Sequence, residues 1–449
     1  MDNQQNSVPV QENKMGTMSI GKLVFNMSLP MMVSMLVQAL YNIVDSIFVA
    51  KLSENALTAV SLAFPLQTLL IAVGTGTGVG MNALLSKSLG EKNFKKANKT
   101  ATNAAFIYAF SYIVFLILGF TIVKPFYRSQ VGSADAEIMT MGVDYLSTVM
   151  IFSFGIFTQV FFERLLTSTG RTIFSMTSQL SGALTNIILD PILIFGMFGF
   201  PKMGVTGAAV ATVIGQCVAG IVAGTCNHKF NHEVKFEFKG FRPDLKIIGT
   251  IYAVGIPSII MQSIGSIMTY CMNRILIEFS STATAVFGVY FNGITPIIAY
   301  NYGARQRKRM TKTIKLSLFV AFCLTFIGFV LFESIPQVLL GMFSASDDLL
   351  KIGIPALRTI GVHYLIAWYC IIAGTVFQAL GKAIFSMVVS IMRQLVVLIP
   401  AAYLLAKFGG LYMVWWSFPI AEIMSFIVST AFFIRIWRTV IKDIPEGRE

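Results

Sequence analysis

Apolar residues dominate this chain in runs of about 20 or more, set apart by short polar breaks, from Val24 almost to the C-terminus. The runs fall near 24–50, 57–85, 101–123, 140–162, 172–200 and 204–227. A second set follows near 250–277, 283–302, 312–335, 354–380, 384–406 and 410–437. A helix needs about 20 residues to cross bilayer hydrocarbon, whereas a barrel strand needs roughly 10 and alternates apolar with polar. The runs have the helical length and lack the alternation. They predict twelve membrane-spanning helices, spans one to twelve, and an all-α polytopic membrane protein.

Composition agrees. Of the 449 residues, 55% are hydrophobic and 12% charged, about half the roughly 25% charge of a soluble domain. A soluble enzyme is excluded. The net charge of +13 would point a soluble chain toward nucleic acid, but here it reports orientation, because cytoplasmic loops collect Lys and Arg. With both termini cytoplasmic, the inner segments hold 25 Lys and Arg and the outer segments 7. The expectation is a multi-pass protein of a bacterial-type plasma (inner) membrane, with no nucleic-acid partner. Cytoplasmic tails fall at 1–23 and 438–449, and a basic cytoplasmic linker at 228–249. Residues 1–23 are polar, so no cleavable signal peptide is expected. Five scattered cysteines without CxxC or ligand spacing predict neither a disulfide framework nor a zinc site.

The two halves repeat. Gly170-Arg-Thr-Ile-Phe-Ser-Met176 matches Gly381-Lys-Ala-Ile-Phe-Ser-Met387 at an offset of 211, and Pro30 matches Pro257. Pro191 in span five answers Pro400 in span eleven. Two six-helix lobes, 24–227 and 250–437, related by a pseudo-twofold axis normal to the membrane, follow from this pattern, an architecture used by secondary transporters. The offset falls from 226 at Ala59/Ala285 to 213 at Gly90/Gly303, so span eight, with Asn292 and Pro296, is shortened to roughly 18 residues, about 27 Å. It reads either as a short or tilted helix, or as a truncation that impairs the second lobe.

Ionisable groups inside spans are functional candidates by default. Gln38, Tyr41, Asn42 and Asp45 are spaced to share one face of span one. Asn186 and Asp190 share a face of span five, just before Pro191, which frees a backbone carbonyl one turn earlier. The two acids lie at comparable depth, so a proton or a sodium ion held by hard oxygens suits them; the bland alternatives are a packing carboxylate and a proline kink. Arg393 in span eleven and Glu422 in span twelve either pair or meet substrate directly. Asp144, Glu163 and Arg358 lie near span ends and read as interfacial. Gly74-Thr-Gly-Thr-Gly-Val-Gly80 lacks a phosphate-loop context and reads as close helix packing. His228 and His232 have no third metal ligand nearby. No hydrolase or metalloenzyme constellation occurs in the spans, so an enzyme is not expected.

Residues 20–440 resemble the multidrug and toxic compound extrusion (MATE) family of cation-coupled efflux carriers. The resemblance rests on the Gln38–Val49 segment, Thr185-Asn-Ile-Ile-Leu-Asp-Pro191, Gly207-Ala-Ala-Val-Ala-Thr212 and Pro296-Ile-Ile-Ala-Tyr-Asn301. It implies two lobes around a cavity that opens alternately to each side. It further implies that Asp45 is the coupling residue, with Asn186, Asp190 and Thr212 in the ion site, and with Gln38, Tyr41 and Asn42 lining the substrate cavity. The coupling ion is H+ or Na+, the latter at Asp45, Asn186 and Asp190; no cofactor is expected. Amphipathic organic cations and membrane lipids are the implied partners, and a monomer the implied state. The short span eight departs from the family pattern. The alternative is a flippase for lipid-linked saccharides or lipids, which would need basic residues in the cavity; Arg393 keeps it open.

Overall fold

A computed structural model describes residues 13–131, 136–277, 306–341 and 347–445. Span eight, with Asn292, Pro296 and the 296–301 motif, lies outside the described residues. Every regular element among the described residues is a helix, as hydrocarbon requires of a chain whose backbone polar groups have no water to bond. Eight of these helices are long and apolar enough to cross a bilayer, and two bent pairs raise the number to ten. Span one, a 31-residue helix over Ile20–Ala50, is long enough as well. The chain is therefore a multi-span membrane protein. Bulky apolar side chains such as Phe120, Ile188, Ile221 and Phe319 face outward, where lipid replaces water.

The helices run past the hydropathic limits. Span two is Glu54–Gly90 rather than 57–85, and span three is Phe94–Thr121 rather than 101–123, because polar turns continue the helix beyond the hydrocarbon. Ser53 and Asn93 cap these starts, their side-chain oxygens accepting from Ala56 N and Lys96 N. Between spans eleven and twelve, Gly410 adopts φ 71° and ψ −170°, a backbone region essentially reserved for glycine. The chain thus breaks next to the predicted boundary.

Two spans are not single rods. Span four is Ala136–Ile151 followed by Phe154–Ser168 with a 44° bend, and span ten bends by 55° between Gly361 and Tyr364. Phe154 and Tyr364, the first residues after each break, stand 210 apart, beside the 211 separating Gly170 from Gly381. Span eleven contains a π-helical stretch, Met392–Leu398, in which Ile399 N donates to Gln394 O. Pro400 follows it and has no amide to offer Val396 O, so the wider turns take up the register there.

Packing divides the interior. One large core joins residues of spans one to seven, and separate cores form from spans nine, ten and twelve and from spans ten, eleven and twelve. The halves meet where span two packs along span seven, Leu245–Ile277. The glycine-rich run makes this seam. A Cβ on Gly76 would stand 2.8 Å from Ile259 N, and one on Gly80 would stand 2.1 Å from Ile251 O. Thr75 Oγ1 donates to Gln262 Oε1 across the seam at 2.6 Å. Asn13, near the N-terminus, donates to Thr169 O and Glu233 Oε2 at 3.1 and 2.7 Å, and Arg171 lies 3.9 Å from Glu233. Burial pushes the Glu233 carboxyl above the usual range, against the hydrogen bond from Asn13 and the charge of Arg171.

Candidate functional site

The candidate site forms where spans one, five and six run together. Spans five, Thr172–Phe195, and six, Val205–Phe230, approach through glycine. A Cβ on Gly182 would stand 2.8 Å from Gly215 O, and one on Gly215 would stand 2.7 Å from Gly182 O. This approach brings Thr212 to Asn186, whose Nδ2 donates to Thr212 Oγ1 and to Asp190 Oδ1 at 3.3 Å each. Span one packs along span five and sets the Asp45 carboxyl within hydrogen-bonding reach of Asp190. Tyr41, one turn earlier, and Tyr145 of span four lie close enough to feel the Asp45 charge, and Gln67 of span two hydrogen-bonds Tyr145.

Asp190 and Asn186 are buried. Asp45 Oδ1, Asp190 Oδ2 and Asn186 Oδ1 receive no hydrogen bond from a described N–H or O–H. Two adjoining carboxyls cannot both stay ionised without a counter-charge; they share a proton or hold a cation. The unpaired oxygens and Thr212 Oγ1 are all hard oxygen atoms, the ligand type that alkali cations favour. Asp45, Asn186, Asp190 and Thr212 stand together in the structure. Gln38 and Tyr41 line a cavity of about 380 Å³ that also reaches Asp45, Gln67, Asn186 and Thr212. The Asn42 side chain lies outside the described residues.

Glu163 corrects the interfacial reading. It is buried and accepts from Gln159 Nε2, Gln179 Nε2 and Ser178 Oγ at 3.0, 2.8 and 3.2 Å. The second helix of span four runs on to Ser168, past the apolar limit near 162, so Glu163 sits more than a turn before the helix end. With Gln159 and Gln179 it forms a second polar wall of the same cavity. The i, i+4 spacing of Gln159 and Glu163 was the available signal. Asp144 and Arg358 are exposed, in keeping with positions near span ends.

Comparison with known proteins decides the family. The MatE family model matches residues 30–192 and 257–404. The chain belongs to the MatE family. The two matched segments begin at Pro30 and Pro257, the prolines that the internal repeat aligns. Among relatives of this MatE chain, the multidrug export protein MepA of Staphylococcus haemolyticus (strain JCSC1435) is 29% identical over 436 residues, covering 90% of this chain and 91% of that protein. The solved structure of the MATE multidrug transporter DinF-BH is 29% identical with a TM-score of 0.84, covering 96% of this chain and 99% of that one. An outward-facing multidrug resistance MATE transporter superposes with a TM-score of 0.85 at 24% identity, again covering 96% and 99%.

In the second half of this MatE chain, Arg393 Nη1 lies 3.4 Å from Glu422 Oε2, with Glu422 buried. The π-helical turn positions that arginine. Removing one partner of a buried pair strands the other charge, so Arg393→Met should destabilise the protein by about 3 kcal/mol. Adding Glu422→Met should restore most of the loss, read by thermal unfolding in detergent. A single variant as stable as the parent would count against the pair.

Proposed function

We propose that this chain is a cation-coupled antiporter, driven by H+ or Na+, that exports amphipathic organic cations by alternating access. Twelve helices form two six-helix lobes about a pseudo-twofold axis, in a plasma (inner) membrane with both termini cytoplasmic. The observation that carries this reading is the carboxyl pair Asp45–Asp190, joined by Asn186 and Thr212, at the edge of a cavity between spans. In this topology the span two–span seven seam closes the cytoplasmic side, and the cavity lies in the outer half of the first lobe. An ion arriving from outside changes the charge of the pair, alters span-one packing, and weakens the hold on a cationic drug. The coupling is reciprocal, so drug binding weakens ion binding by the same factor. Names borne by the relatives, multidrug export protein and multidrug transporter, support drug export as the activity. Arg393 is already met by Glu422, and Arg164, which lines the first-lobe cavity, stands there beside the acid Glu163. The carrier is expected to act as a monomer.

The test is ethidium efflux from proteoliposomes under separately imposed proton and sodium gradients. Efflux under one gradient identifies the ion. Efflux under neither, in vesicles that hold folded protein, would overturn the proposal.

A further inference from the structure

The linker between Asn231 and Leu245 has no regular structure, yet it is fastened to the first turns of span three. Asn98 Oδ1 accepts from Lys235 N at 2.8 Å, Thr102 Oγ1 from Glu237 N at 3.1 Å, and Asn103 Oδ1 from Asp244 N at 2.8 Å. A turn at Gly240, with φ +70° and a bond from Phe241 N to Phe238 O, reverses the chain. Between the fastened linker and span three lies a groove of about 710 Å³, bordered by Lys99, Lys239, Arg242 and Lys246. All four cations are exposed, and none makes an ion pair among the described residues. The acids of the groove are otherwise engaged. Glu237 accepts from Asn98 Nδ2 at 3.1 Å, and Asp244 Oδ1 accepts from Lys246 N and Ile247 N at 3.0 and 3.3 Å at the start of span seven.

Beside the cations stand two side chains that water should not favour, Phe238 at 61% exposure and Leu245 at 80%. Lys99 precedes the apolar run of span three by two residues, and Leu245 precedes that of span seven by five, which sets the groove at headgroup level. Unpaired cations in a built groove match a phosphate diester, and apolar side chains at its lip match the tail attached to it. A soluble anion makes no use of the apolar part. We infer that this groove binds the phosphate headgroup of an anionic phospholipid, with Phe238 and Leu245 against its glycerol and upper acyl chain. The site is separate from the Asp45–Asp190 carboxyl pair and does not depend on what the carrier exports.

Native mass spectrometry of the full chain, released from vesicles of mixed phosphatidylglycerol and phosphatidylcholine, tests it. The parent should retain phosphatidylglycerol in preference to phosphatidylcholine. The triple variant Lys99→Gln, Lys239→Gln, Arg242→Gln should lose that preference by at least tenfold. Lys99→Arg, Lys239→Arg, Arg242→Lys, which keeps the charge, should retain it. A second control neutralises Lys308, Lys312 and Lys315, exposed on the first turns of span nine; it should leave the preference unchanged. An equal loss in that control would mean diffuse attraction to a basic face and would overturn the inference. So would an unaltered preference in the first triple variant. Inorganic phosphate binding to the parent as tightly as phosphatidylglycerol would reassign the groove to a soluble anion.

Discussion

Asp45→Asn should abolish gradient-driven export in proteoliposomes, down to the rate of protein-free vesicles, while elution volume and melting temperature stay close to those of the parent. Asparagine preserves shape and hydrogen-bonding capacity at this position and removes what coupling needs, a group that carries a proton or an ionic charge. It also removes the conflict between two adjoining carboxyls, so the variant no longer distinguishes the loaded from the unloaded site. Drug binding should weaken, because the uncharged side chain mimics the ion-loaded pair, yet stay measurable, because Gln38 and Tyr41 still line the cavity. Binding of ethidium followed by fluorescence, beside the efflux assay, separates the two effects. Undiminished efflux in the variant would remove Asp45 from the coupling site.

The second large effect is expected at Gly80. No Cβ fits there: its nearest neighbour would be a backbone carbonyl, Ile251 O at 2.1 Å, and Gly255 N would follow at 3.0 Å. A flexible side chain could move aside, but backbone in a neighbouring helix cannot do so alone. Gly80→Val must therefore push spans two and seven apart. Overpacking of this kind costs about 1–3 kcal/mol, which shifts a two-state equilibrium roughly 5- to 150-fold. The closed seam should lose population to the open one, and export should fall by about tenfold or more. Spin labels at Lys95 and Lys308, exposed at the first turns of spans three and nine, report the separation. Their distance distribution should move to longer values in Gly80→Val. An unchanged distribution with parental transport would show that the seam yields without opening.

The spans were legible because hydrocarbon imposes a length and forbids most polar interruptions. The first-half acids were legible for a related reason. Asp45 and Asp190 could be placed at similar depths by counting residues from the span ends, and the i, i+4 rule set Asn186 beside Asp190. Thr212 came from the family resemblance, since one of three threonines in an Ala- and Gly-rich span carries no spacing signal. Tyr145 and Gln67 sit on two further helices without a pattern of their own, so only packing reveals them. Glu163 was read as interfacial because the apolar run of span four ends near 162, whereas the helix continues to Ser168. The 44° bend at Ile151–Phe154 was not legible either, since no proline marks it. The Arg393–Glu422 pair was one of two readings, and a π-helical turn, invisible to hydropathy, brings the two groups together.

The fastening of the linker to span three has a mechanical consequence. A connector pinned by Asn98, Thr102 and Asn103 is a poor hinge, although it is the segment that joins the halves along the chain. The load of any rocking motion must then be taken elsewhere. Spans four and ten offer the places, since each carries an elbow at the equivalent station of its half. Under the proposed alternating access, matched joints would divide the travel between them, and the strap would serve as an anchor rather than a spring.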